Sequence, residues 1–255
     1  DLFKTSVSQN GFVRKFYEAL KDETRIGLVD RIYITGVSSI TLDSMTSGFN
    51  IGSNLTTESM LNEMLGFTRN EVIELAEETI GDVFDINKSI EHLAAYYDGY
   101  KFHIDGEEKL FNSDMILYYF NYFQRKGKEP ENYIDRNVVS DYSKIGKLFE
   151  VGGIDSNRMD VLKSLIRGEE IEVNLKDSFN LENKFTLDDF KSLLFYMGFI
   201  TIKRSDEFND LFMQYPNYVI KELYFEYFQS LIEEITSYQI DDLKIKNAVK
   251  DIAKN

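Results

Sequence analysis

Two short stretches of this chain combine polar side chains with glycine in a pattern suited to ligand chemistry. Thr35-Gly36-Val37-Ser38-Ser39 sets hydroxyls around a glycine, where they could meet a bound anion. Tyr97-Asp98-Gly99-Tyr100 is a tight-turn sequence that brings the Asp98 carboxylate against neighbouring backbone N–H groups, as a site or as a turn-stabilising aspartate. Other carboxylate pairs, such as Asp188–Asp189 and Glu169–Glu170, are adjacent in the chain and do not converge on one substrate atom. Among 44 acidic residues they read as solvated faces. The two histidines, His92 and His103, read as structural or surface residues. With no cysteine, neither a multi-His nor a thiolate metal centre is expected.

Several catalytic signatures are missing. No GxxxxGK[ST] loop occurs, so the backbone cradle and the lysine for β- and γ-phosphates are lacking. No apolar run ends in Asp-Glu to hold Mg²⁺ at a strand end. GxSxG, HExxH and EF-hand patterns are also absent.

The elements that must position the two stretches are legible from periodicity. Ile32–Val37 is a β-branched and aromatic run closed by Gly36-Val37, which reads as a strand buried on both faces of a parallel sheet. The hydroxyl-rich loop then falls past its carboxyl end, where α/β folds place ligands; an ordinary core strand with a solvated loop is the alternative. Residues 9–22 place Phe12, Val13, Phe16, Tyr17 and Leu20 at helical spacing. Thr68-x-x-Glu71 is a capping box that starts a helix running to Ile80. A helix from Asn87 leads into the Asp98 turn, a small hairpin is expected between Tyr100 and Phe111, and Asn112 or Ser113 caps a helix over 114–125.

Residues 126–156 read as a connector and a domain boundary. Beyond it come a helix over 159–167, a strand over 170–175 and a capped helix over 186–197. Strands over 199–203 and 211–215 and a long helix over 218–236 complete a helix–hairpin–helix outline. The tail, 241–255, is charged and weakly amphipathic.

A net charge of −15 makes the surface repel phosphate backbones, so nucleic acid is a disfavoured partner. No apolar run reaches the roughly 20 residues of a membrane helix, and no leader opens the chain, so a cytoplasmic, non-membrane protein is expected. The first residue is Asp1 rather than Met, which reads as a fragment of a longer protein.

Seven stretches, in order, resemble the prokaryotic AAA-ATPase-like family whose full members usually end in a PD-(D/E)XK nuclease-like domain. They are Asn10–Leu20, Ile32–Asn50, Glu63–Glu71, Tyr96–Phe102, Leu110–Asp114, Leu165–Val173 and Thr186–Ile202. Together they span nearly all of residues 9–235. The resemblance implies an ATPase whose Walker A and Walker B segments lie upstream of this chain, with ATP and Mg²⁺ as its cofactors and none held by the chain alone. It makes Thr35 the sensor-1 residue, with Ser38 as the alternative, a polar group that helps position water near the γ-phosphate. Asp98, Tyr100 and Asn112 match recurrent family positions of unknown role. Arg31, Arg69 and Lys101 are arginine-finger candidates by charge alone.

The expected fold is mainly α with small β elements: the end of a P-loop α/β core over 1–60, a helical lid with hairpin and connector over 61–156, a winged-helix-like domain over 157–240, and a tail. The expected function is the sensor, lid and winged-helix part of an AAA+-like ATPase that does not hydrolyse ATP alone. A non-catalytic protein-interaction module and a winged-helix nucleic-acid binder are the competing readings. Protein contacts or self-association are the expected partnerships.

Overall fold

A computed structural model of the chain describes residues 11–36, 53–81, 85–134, 155–177 and 185–236. The first helix, α1 (Phe12–Arg25), follows Gly11 and carries an Arg14–Glu18 pair one turn apart at 3.0 Å. Phe12 and Phe16 on it are exposed. Residues 26–36 then continue without regular secondary structure.

Here the expectation of a buried strand over 32–37 fails for the residues described. Ile32–Gly36 make no ladder, Tyr33 is 61% exposed and Ile34 39%. A β-branched run becomes a strand only where a second strand takes up its N–H and C=O groups. Among the described residues none lies beside it; its hydrogen bond to the main body runs from Tyr33 Oη to Met64 Sδ, at 3.7 Å. No parallel sheet occurs among the described residues. Val37, Ser38 and Ser39 lie outside them, as do most of the 126–156 connector and the 241–255 tail.

A helical layer follows. A short 3-10 turn, Ser59–Leu61, precedes α2 (Arg69–Thr79), α3 (Ile86–Tyr97) and α4 (Ser113–Lys126). Each helix starts where the sequence supplies an oxygen for its orphan N–H groups. Thr68 and Glu71 complete the capping box of α2, Asp85 caps α3, and Asn112 caps α4 by accepting from Met115 N at 3.1 Å. Gly127, at φ +67°, ends α4. The hairpin expected between Tyr100 and Phe111 is reduced to an isolated bridge, Tyr100 with Leu110, because Phe111 pairs instead with Phe67.

The second layer holds α5 (Ser156–Arg167), β1 (Ile171–Val173), α6 (Leu187–Tyr196), β2 (Thr201–Ser205), β3 (Leu211–Gln214) and α7 (Tyr218–Thr236). Its antiparallel sheet has the order β1-β3-β2, with Ile171 opposite Met213 and Thr201 opposite Gln214. β2 begins two residues later than its alternation suggests. Gly198 is left-handed and the Phe199 N–H turns back to Leu194 O at 2.8 Å, so Phe199 and Ile200 finish α6.

The fold is thus mainly α with one small antiparallel sheet. One continuous apolar core joins both layers, from Val72 and Leu93 through Tyr119 and Leu162 to Phe190, Met213 and Ile220, all buried. The hydroxyl of buried Tyr224 donates to Phe199 O at 3.2 Å, tying α7 to the end of α6. No helix among the described residues is long and apolar enough to cross a membrane.

Candidate functional site

Asp98, Tyr100 and Asn112, none of them in a regular strand, meet at one place where the two layers join. Asp98 ends α3 in an extended conformation and its carboxylate Oδ1 accepts the Gly99 N–H at 2.6 Å. Tyr100 exchanges both backbone hydrogen bonds with Leu110, at 3.1 and 2.9 Å. Asn112 N–H donates to Tyr97 O at 2.8 Å while its side chain starts α4. Asn112 thus serves two helices at once, the end of α3 and the start of α4.

The same turn is fastened to the second layer. Asn217 donates from Nδ2 to Asp98 O at 3.0 Å, and its Oδ1 accepts from Ile220 N at the start of α7. Thr201 Oγ1 accepts from Lys101 N at 2.7 Å, and Ile202 N–H reaches Lys101 O at 3.4 Å, so Lys101 runs beside β2. Between these bonds Gly99 sits at φ +112° with Pro216 against its Cα; a Cβ there would lie 2.2 Å from Pro216 O. Only glycine satisfies both the dihedral and the approach.

Asn62 supports the turn from the other side. It is buried, with Oδ1 accepting from Phe102 N at 2.9 Å and His103 N at 3.1 Å and Nδ2 donating to Glu108 O at 3.3 Å. Gly106 leaves room for it, since a Cβ there would fall 2.5 Å from the Asn62 amide carbon. Asn62 thereby holds the 102–108 loop closed.

Charges collect at this junction. Burial raises the Asp98 carboxyl above its ordinary range; the Gly99 N–H, Lys109 and Arg69 pull it back, and Glu108 pushes it up. Burial lowers the Lys203 ammonium on β2, Lys109 lowers it further, and Glu170 and Asp98 oppose. Nearby, Arg204 pairs with Glu170 at 2.7 Å and lies over the Phe212 ring at 3.8 Å.

The other expected residues stand apart. Thr35 is exposed and makes no hydrogen bond within the described residues, and Ser38 lies outside them. Arg31 is exposed beside Asp30, and Arg69 pairs with Glu91. Lys101 contributes its backbone. His92 packs on Tyr96 and Tyr133, each at 5.0 Å between ring centroids, and His103 Nδ1 accepts from Asp105 N. Asp188 accepts from Asn174, and Asp189 completes a capping box with Thr186. Glu169 faces Arg167 at 3.8 Å.

Sequence reasoning missed Asn62, Thr201, Asn217 and Lys203. Asn217 had a local signal, following Pro216 directly before an apolar helix. Asn62 and Thr201 carry none, because their partners lie 40 and 100 residues away. The arrangement joins two layers through backbone contacts, with an amine and a carboxyl at its edge. In comparisons with known proteins, no family model, no curated protein and no solved structure matches this chain.

Proposed function

We propose that this chain is the sensor, lid and winged-helix part of an AAA+-like ATPase, and that it acts through protein contacts without hydrolysing ATP by itself. The observation that supports it most is the arrangement of the second layer. Helix α5, strand β1, helix α6 and the β2–β3 hairpin follow in order, with β1 pairing to β3 on the far side from β2. That order and pairing suit a winged-helix unit, and they extend the resemblance carried by the motif stretches.

The protein-contact role rests on the state of α6, the helix before the hairpin, where a winged helix that reads DNA places its groove-facing residues. Ser192, Leu193, Leu194 and Phe195 are consecutive and all buried. At about 100° per residue, four in a row face every side of the helix. Its first turn carries Asp188 and Asp189. Residues 185–235 hold four basic side chains (Lys191, Lys203, Arg204, Lys221) against nine acidic ones, a balance of −5. A groove-reading helix has neither property.

The sequence holds no GxxxxGK[ST] loop, so no hydrolytic step is assigned to this chain. Thr35 gains a sensor role only beside strands that other parts of such an ATPase would supply. Calorimetry with millimolar Mg-ATP tests this directly: no saturable heat is expected, and micromolar binding overturns the reading.

A second reading, a protein-interaction module without nucleotide chemistry anywhere in its parent, draws on the exposed apolar side chains of 12–34. Phe12 is 73% exposed and Leu28 74%, alongside Phe16, Ile26 and Tyr33. Where exposed apolar side chains form one patch, they mark a contact surface. The coding sequence before Asp1 separates the two readings: a Walker A lysine and a Walker B acid in frame support the ATPase, and their absence supports the module.

A further inference from the structure

The stretch 55–65 carries methionines outward on a turn that is itself anchored. Glu58 O accepts from Leu61 N and Leu61 O from Met64 N, each at 3.0 Å. Asn62, buried within the turn, is bonded to the 102–108 loop through both ends of its amide. Around this fixed point Met60 is 86% exposed, Leu65 63% and Met64 47%. Unbranched thioether side chains adapt to the shape of an apolar partner, and they recur where proteins receive amphipathic helices. Glu58 and Glu63 are exposed beside them, and residues 53–66 hold no basic side chain. Tyr33, itself exposed, donates from Oη to Met64 Sδ at 3.7 Å, so this turn continues the surface begun by 12–34.

Helix α1 has the opposite charge. Phe12 and Phe16 lie one turn apart and are 73% and 59% exposed. Lys15 is exposed between them, and over the helix Arg14, Lys15, Lys21 and Arg25 outnumber Glu18, Asp22 and Glu23. In a chain of −15, such a face is where a second copy meets the least repulsion. The helix face and the methionine turn are both exposed in the same chain, so a single copy does not close one on the other.

We propose that this surface takes a second copy of the chain, with the apolar face of α1 in each copy laid on the Met60–Leu65 turn of the other about a twofold axis. The proposal rests on the reading of 12–34 as a contact surface and names its occupant. A twofold pairing makes the same contact twice. Phe12, Phe16, Met60, Met64 and Leu65, at about 200 Å² for a fully exposed large side chain, offer roughly 650 Å² per chain at these exposures. Two chains then bury about 1,300 Å², inside the range of about 1,200–2,000 Å² for stable specific interfaces. Each Lys15 comes opposite the Glu58 and Glu63 pair of the other copy.

Sedimentation equilibrium of the full chain tests this. A dimer should form between about 1 and about 100 μM, since interfaces of this size reach micromolar affinity or better. The double variant Phe12→Ser with Phe16→Ser, both at exposed positions, should remain monomeric with an unchanged urea midpoint. Charge exchange then separates contact between copies from any effect within one. Lys15→Glu alone, and Glu58→Lys with Glu63→Lys alone, should each weaken the dimer about tenfold, because like charges meet at both contacts. Mixing those two proteins should restore association, since every helix–turn contact in the mixed pair joins opposite charges. A dimer that survives the phenylalanine variant, or a mixture no tighter than its components, would overturn the proposal. So would a monomer throughout, and anilinonaphthalenesulfonate fluorescence on that monomer then judges the surface reading separately. Emission lost in the phenylalanine variant keeps the surface and gives it a different occupant, whereas no emission from the parent removes the surface as well.

Discussion

Replacing Gly99 by alanine should unfasten the two layers at their tightest point. The methyl would meet Pro216 O at 2.2 Å, its carbonyl carbon at 2.9 Å and its Cα at 3.3 Å, all backbone atoms that no rotamer change can move. The φ of +112° adds strain of about 1–2 kcal/mol for a residue with a Cβ. Pushing Pro216 away also draws Asn217 from Asp98 O, costing about 1 kcal/mol for that hydrogen bond, with further loss where α7 begins. The total comes to about 3–5 kcal/mol, a large share of the 5–15 kcal/mol typical of a folded domain. Gly127→Ala is the matched control. Gly127 has φ +67° with nothing within 4 Å of an added Cβ, so it meets strain alone, about 1 kcal/mol. Urea unfolding of both variants reads the difference through their midpoints. If Gly99→Ala costs no more than Gly127→Ala, the close approach to Pro216 is not what holds the layers together.

Three further outcomes follow from the same geometry. Asn62→Ala should destabilise the chain by about 2–3 kcal/mol, since it orphans Phe102 N, His103 N and Glu108 O together, and hydrogen exchange should rise first in 102–108. Asp98 binds its proton more tightly in the folded chain than unfolded, so the stability tied to that proton is present below the ordinary value of 3.8 and is lost as pH rises through the raised folded value. Asp98→Asn should therefore be at least as stable as the parent at pH 7, with the difference closing as pH falls below that ordinary value in a series of urea melts. Ile34→Lys should shift stability by less than about 0.5 kcal/mol, because Ile34 is exposed and pairs with no strand among the described residues; a large loss in thermal melts would restore the buried-strand reading.

What the sequence made legible was local. Thr68 with Glu71 and Thr186 with Asp189 sit three residues apart, and a capping box needs nothing beyond that spacing. The same holds for Asn112 and for the run over 218–236, which starts where its periodicity indicates. Ile32–Gly36 shows the converse. Its residue types favour a strand, yet strand formation depends on a neighbour, and no property of the run itself reports whether one is there. The junction was half legible. Asp-Gly marked the turn, but its purpose lies in Thr201, Pro216 and Asn217, whose bonds to it span 100 and 119 residues. Lys203 was invisible for a related reason: its environment is set by a bulge in β2 and by Lys109 across the bridge from Tyr100.

The claim that the second layer is a winged-type unit built for protein contacts, and not for nucleic acid, is tested most directly by titrating fluorescent duplex DNA with the full chain at low salt. Low salt favours any phosphate contact, so it is the condition most generous to binding. With a balance of −5 over residues 185–235 and four consecutive buried residues on α6, the account predicts no change in anisotropy up to tens of micromolar, roughly the strength of non-specific association. A saturable, salt-sensitive affinity at or below micromolar would contradict it and make α6 or the hairpin a nucleic-acid surface.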